Sequence, residues 1–115
     1  MKKINRKETV ITRFINAAES HAIATEEANY KRANKNCNEI TKAITFLKET
    51  NDMPKLLELL GHNSDGVRGW AATYLLPPYE IEAIKVLELI AKGNGIRSLA
   101  AQITLNEWQK GNLWH

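Results

Sequence analysis

The sequence predicts an all-α protein, an α-α superhelix of about six helices in three antiparallel pairs. Three observations lead there. First, the chain repeats itself: LLELL at Leu56–Leu60 answers to VLELI at Val86–Ile90, and VRGWAATYLL at Val67–Leu76 answers to IRSLAAQITL at Ile96–Leu105. A period near thirty residues built from two short helices is the signature of an α-solenoid, in which stacked helix pairs share one core. Second, apolar residues recur in steps of three and four, and no stretch alternates with the two-residue period of a strand. Third, Thr50-Asn51-Asp52, the Pro77-Pro78 pair and Gly93-Asn94-Gly95 punctuate the pattern where helices should stop.

Taken in order, residues 1–7 hold Lys2, Lys3, Arg6 and Lys7 without an acid and read as a basic flexible tail. Residues 8–49 read as a long capping helical hairpin. Its first helix spans Glu8 to about Thr25, with Val10, Phe14, Ala17, Ala18, His21 and Ala22 on one side. Its second runs from Glu26 to about Lys48, with Ala33, Cys37, Ile40, Ile44 and Leu47 as the apolar stripe. Thr25 is placed to cap this helix, and Glu26 and Glu27 suit the positive end of its dipole. Residues 53–76 form the first repeat. Asp52 caps a short helix with Pro54 in its first turn, ending near Gly61. Ser64 or Asp65 caps the next helix, which the two prolines end. Residues 79–109 form the second repeat, Tyr79–Ala91 followed by a helix from about Gly95 to Gln109 that closes at Gly111. Ile81, Ile84, Leu87 and Leu89 are the apolar content of the first of these two helices.

Asp65-Gly-Val67-Arg68-x-x-Ala71-Ala72, and less completely Asn94-Gly-Ile96-Arg97-x-x-Ala100-Ala101, resemble HEAT-type repeats of the armadillo-like superhelix. The resemblance spans roughly residues 53–109 and implies structural roles for Asp65, Arg68, Asn94 and Arg97. The Ala-Ala pairs allow close helix approach, and each arginine can reach exposed carbonyls or a neighbouring repeat's aspartate. Asn94 stands where the first copy has its aspartate. The first two helices lack the motif and fit an atypical cap.

Composition narrows the function. A hydrophobic fraction of 43% and a charged fraction of 25% are ordinary for a soluble globular domain. Cys37, the one cysteine, excludes an internal disulfide and suits a reducing cytoplasm. The sequence has no apolar run of membrane-spanning length and no secretory signal pattern. The net charge of +3 sits in the first seven residues; the remainder has twelve basic against thirteen acidic side chains. That is a poor match to a broad phosphate-binding face.

Little in the chain points to catalysis, to a cofactor or to a metal. His21, His62 and His115 have no ligand partner at metal-site spacing. Cys37 falls on an apolar stripe with nothing to activate it. Gly93-Asn94-Gly95 follows no strand and precedes no Gly-Lys-Ser or Gly-Lys-Thr, so it is not a phosphate loop. Lys31, Arg32 and Lys35 read as a solvated face. Binding has better support. In solenoids of this type the second helix of each pair lines the concave surface, which here would carry Trp70, Thr73, Tyr74, Leu99, Gln102 and Ile103. Trp and Tyr are frequent interface anchors, although Trp70 and Tyr74 could instead plug the seam between repeats. Tyr79, Trp108 and Trp114 add apolar area near the C-terminal end.

The layout also resembles small bacterial helical immunity proteins of contact-dependent growth inhibition (polymorphic toxin) systems. That resemblance implies a non-enzymatic cytoplasmic protein that binds a cognate toxin, a nuclease such as an RNase, and covers its active site. The alternatives are a HEAT-like nucleic-acid-binding protein and a scaffold or accessory subunit of a bacterial complex.

Overall fold

A computed structural model of the chain describes residues 6–113; Lys2, Lys3, Trp114 and His115 lie outside the described residues. The described chain is all-helical, with no strand. It comprises α1 (Arg6–Glu26), α2 (Tyr30–Glu49), a 3-10 helix (Met53–Gly61), α3 (Asp65–Leu75), α4 (Glu80–Ala91) and α5 (Ile96–Lys110). The two long helices pack along each other; α3 then packs on the 3-10 helix, α1 and α4, and α4 packs on α5. The core is continuous through these contacts. Its largest fully buried side chains are Phe14, Ile40, Leu47, Leu56, Val67, Leu75, Leu76 and Leu87. The Cα radius of gyration is 13.9 Å, near the value of about 13 Å for a compact chain of this size.

The join between α1 and α2 differs from expectation. Glu26 ends the first helix instead of beginning the second, and Thr25 caps nothing: its hydroxyl donates back to the Ala22 carbonyl at 2.9 Å. The cap of α2 is Asn29, whose side chain accepts from the Arg32 amide at 3.1 Å. Nothing from Ala22 to Glu26 opposes helix, so α1 continues until a Schellman closure ends it. There the Asn29 amide donates to Ala24 O at 2.7 Å and the Ala28 amide to Thr25 O at 3.2 Å, with Ala28 at φ +57°. Two other helix ends close the same way. Asn51 (φ +59°) follows α2, with Asp52 N–H donating to Leu47 O; Gly111 (φ +75°) follows α5, with Asn112 N–H donating to Glu107 O.

The third helix starts and ends as expected but winds as a 3-10 helix, and Asp52 makes no side-chain capping bond to it. A period of three eclipses side chains at i and i+3, and the sequence suits that winding. Leu56 and Leu59 are buried in line with the half-buried Met53, Leu57 and Leu60 form a half-buried row, and Lys55, Glu58 and Gly61 face solvent. The second copy of this segment winds as the α-helix α4 instead. Leu87 and Ile90 turn inward, while Leu89, the counterpart of Leu59, is exposed. Ser64 caps α3, accepting from the Val67 amide at 3.4 Å. Helix α4 starts at Glu80 with Tyr79 as its N-cap residue. Ile81, expected on its apolar face, is exposed.

Candidate functional site

Three helices that are distant in sequence border an open cavity of about 380 Å³. The C-terminal half of α1 supplies His21, Ala22 and Thr25; α3 supplies Gly66, Gly69, Trp70 and Thr73; α5 supplies Ile96, Arg97, Ala100 and Thr104. Leu87 and Ile90 of α4 also contribute to the lining. Small residues let the walls come together. A Cβ on Gly66 would stand 2.9 Å from the Ala22 Cβ and 3.1 Å from the Ala18 carbonyl oxygen, so only glycine permits this approach of α3 to α1.

Trp70 is held in place by both neighbours. Its indole N–H donates to His21 Nδ1 at 3.4 Å, the His21 ring meets it edge-on at a centroid distance of 5.2 Å, and Tyr74 stacks at 6.1 Å. Since Nδ1 accepts, the neutral His21 carries its proton on Nε2. Burial lowers the His21 pKa from its ordinary value and favours this neutral form. Two ion pairs frame the site: Arg97 binds Glu26, tying the first turn of α5 to the last residue of α1, and Arg68 binds Asp65 within α3.

The structure divides the six residues expected on one concave face. Trp70 and Thr73 line the cavity. Tyr74 stacks on Trp70 and packs against the core. Gln102 donates to the Ala91 carbonyl at 3.0 Å and so satisfies the C-terminal end of α4. Leu99 and Ile103 are not among the residues that line the cavity. They lie roughly 160° around α5 from the buried Ala101 and point away from the core, 56% and 54% exposed. Ile96 continues this stripe at 49% exposed.

The motif residues are also divided. Arg68 and Asp65 pair within one turn, while Arg97 reaches Glu26, 71 residues away, and no aspartate of a neighbouring repeat. Asn94 is exposed in the turn before α5. Sequence reasoning assigned His21 to the apolar stripe and gave Glu26 no place in the site; neither partner is signalled by local spacing.

Chemistry at other side chains is limited. Cys37 is half-buried and burial pushes its thiol pKa up, away from the nucleophilic thiolate. Among the described residues no three of His, Cys, Asp and Glu come together as a metal site, and no helix is long and apolar enough to cross a membrane. Tyr79 and Trp108 are half-buried against the core, and the Trp108 indole donates to Glu80 at 2.7 Å. Comparison of the chain with protein-family models, with curated proteins and with solved structures finds no match.

Proposed function

We propose that this chain is a short HEAT-like α-α superhelix acting as a non-enzymatic protein-binding module, and that its partner is a bacterial toxin with a nuclease domain whose active site it covers. The observation that carries the binding part is the contrast between the two repeat copies. Val67 and Ala71 of α3 are fully buried by the chain's own helices, whereas their counterparts Ile96 and Ala100 of α5 are exposed. Leu99 and Ile103 extend the same uncovered surface. A contiguous apolar stripe of this kind on a helix whose other face is already packed favours a protein partner. The choice of a toxin rests on the resemblance of the overall layout, a small single-domain helical solenoid, to bacterial immunity proteins.

A nucleic-acid partner is less well supported. It needs free basic groups on the second helices of the two repeats, where the arginines, Arg68 and Arg97, are both in ion pairs with carboxylates.

The test has two stages. Tagged protein captures its partner from source-cell lysate and secreted fraction, and the captured gene is then expressed alone and together with this chain. The expected result is toxicity alone and rescue on co-expression. Rescue should fail for Leu99→Lys/Ile103→Lys, because each buried aliphatic anchor contributes about 2 kcal/mol, and losing both weakens binding by roughly a thousandfold. The variant's melting temperature should stay close to wild type, since both side chains already face solvent. A partner that needs this chain for activity would replace the reading with a scaffold role. Nucleic acid that elutes at moderate salt, without protein, would overturn it.

A further inference from the structure

We propose that Asn94 is a site of spontaneous deamidation, and that the carboxylate it yields competes with Glu26 for Arg97. This goes beyond the protein-binding reading and does not depend on it. Asn94-Gly95 is the one Asn-Gly step in the chain. In the reaction the Gly95 nitrogen attacks Cγ of Asn94, and Nδ2 leaves as ammonia, taking up the proton that the amide gives up. Water then opens the resulting succinimide at either carbonyl. Opening at the main-chain carbonyl gives isoaspartate, with the backbone routed through the β-carbon; opening at the side-chain carbonyl gives aspartate. Either product carries a negative charge that asparagine lacks.

The step needs a free amide nitrogen, a free carboxamide and room for the two to meet. Asn94 is exposed in the turn between α4 and α5. Among the described residues, neither its carboxamide nor the Gly95 N–H makes a hydrogen bond. A Cβ on Gly95 would have nothing within 4 Å, so the attacking nitrogen is uncrowded. The other described asparagines each fail a condition. Those inside α1, α2 and α5 are followed by an amide that is bonded to the preceding turn. The amide after Asn51 donates to Leu47 O at 2.7 Å, and the amide after Asn63 to His62 Nδ1 at 3.0 Å. The carboxamides of Asn29 and Asn112 are held by the Arg32 amide and by Glu107.

The consequence follows from the repeat. In the first copy the aligned residue is Asp65, which pairs with Arg68 three positions on. Deamidation gives the second copy a carboxylate at the same spacing from Arg97. It arrives at the positive end of a helix that has no side-chain cap and no acid in its first turn. Arg97 and Glu26 are both partly exposed, which leaves their pair open to exchange. Drawing Arg97 toward residue 94 loosens the ion pair that ties α5 to α1.

The full chain is aged at mildly alkaline pH, digested with trypsin and followed by chromatography and mass spectrometry. The Gly93–Arg97 peptide should gain about 1 Da and split into aspartate and isoaspartate forms. It should do so about fivefold or more faster than the peptides carrying Asn51 and Asn63, whose following amides must first leave a hydrogen bond. Asn94→Gln, with a side chain that closes the ring poorly, should abolish the change in this peptide. The exchange is read from the Arg97 Nε–H resonance in ¹H–¹⁵N NMR, with Asn94→Asp supplying the charge on an unaltered backbone. Glu26→Gln should move that resonance by about half or less as much in Asn94→Asp as in the wild type. A rate at Gly93–Arg97 no faster than at Asn51 and Asn63 overturns the site. Equal movement of the Arg97 resonance in both backgrounds overturns the competition with Glu26.

Discussion

Replacing Ala28 by glycine should stabilise this protein. Three of its helices end in the same hydrogen-bonded closure, and in each the residue after the cap lies in the left-handed region: Ala28 at φ +57°, Asn51 at φ +59° and Gly111 at φ +75°. Glycine is indifferent to that conformation and asparagine tolerates it, whereas alanine places its Cβ against the following carbonyl at a cost of about 1–2 kcal/mol. Glycine returns roughly 0.5–1 kcal/mol of this through the extra freedom of the unfolded chain. The net gain expected for Ala28→Gly is therefore about 0.5–1 kcal/mol. For a domain of this size that is about 2–4 °C in melting temperature. Ala28 is exposed, so no packing change competes with the backbone term. Thermal melts by far-UV circular dichroism and urea titrations at fixed pH read the gain directly, with an unchanged urea m-value as the sign that unfolding exposes the same surface. Gly111→Ala provides the mirror image and should lose a similar amount. A stability loss in Ala28→Gly alongside a loss in Gly111→Ala would refute the reasoning, because Ala28 could not then occupy the left-handed conformation.

Two further predictions concern the walls of the cavity. Gly66→Ala introduces a Cβ 2.9 Å from the Ala22 Cβ and 3.1 Å from a backbone oxygen, and neither can swing aside. It should cost about 1–3 kcal/mol by overpacking despite the better helix propensity of alanine, and equilibrium urea unfolding checks it. The second is a pH dependence. His21 has its folded pKa lowered by burial, so the folded state binds fewer protons there than the unfolded state near pH 6. Its contribution is fully present above the unfolded value of about 6.5 and is lost as the pH falls toward and through the folded value. Between pH 7 and pH 5 the wild-type melting temperature should fall more than that of His21→Gln, which keeps an acceptor but does not titrate; parallel pH profiles would remove His21 from the account.

The helical class and the main break points were legible in the sequence because they are set locally. Pro77-Pro78 cannot continue a helix, Gly111 tolerates the left-handed turn, and the spacing of Phe14, Ala17 and Ala18 or of Ile40, Ile44 and Leu47 fixes which side is buried. The repeat was equally visible, but what each copy does with it was not. Leu59 is buried and its counterpart Leu89 exposed, because one segment winds with three residues per turn and the other as an α-helix. Near-identical apolar strings permit both windings, and the neighbours packed against each segment decide between them.

The candidate site shows the same division. Sequence alone singled out Trp70 and Thr73, and both line the cavity. It set Leu99 and Ile103 in register with Trp70 and Tyr74 by aligning the copies, and α5 presents both to solvent, outside the cavity lining. His21 and Glu26 reach their partners across 49 and 71 residues. Local pattern thus determined what kind of helices form and roughly where they end. Which faces meet, which remain open and where the cavity lies depend on the relative placement of α1, α3 and α5, and that is fixed by contacts such as Gly66 against Ala22 whose partners have no periodic relation along the chain.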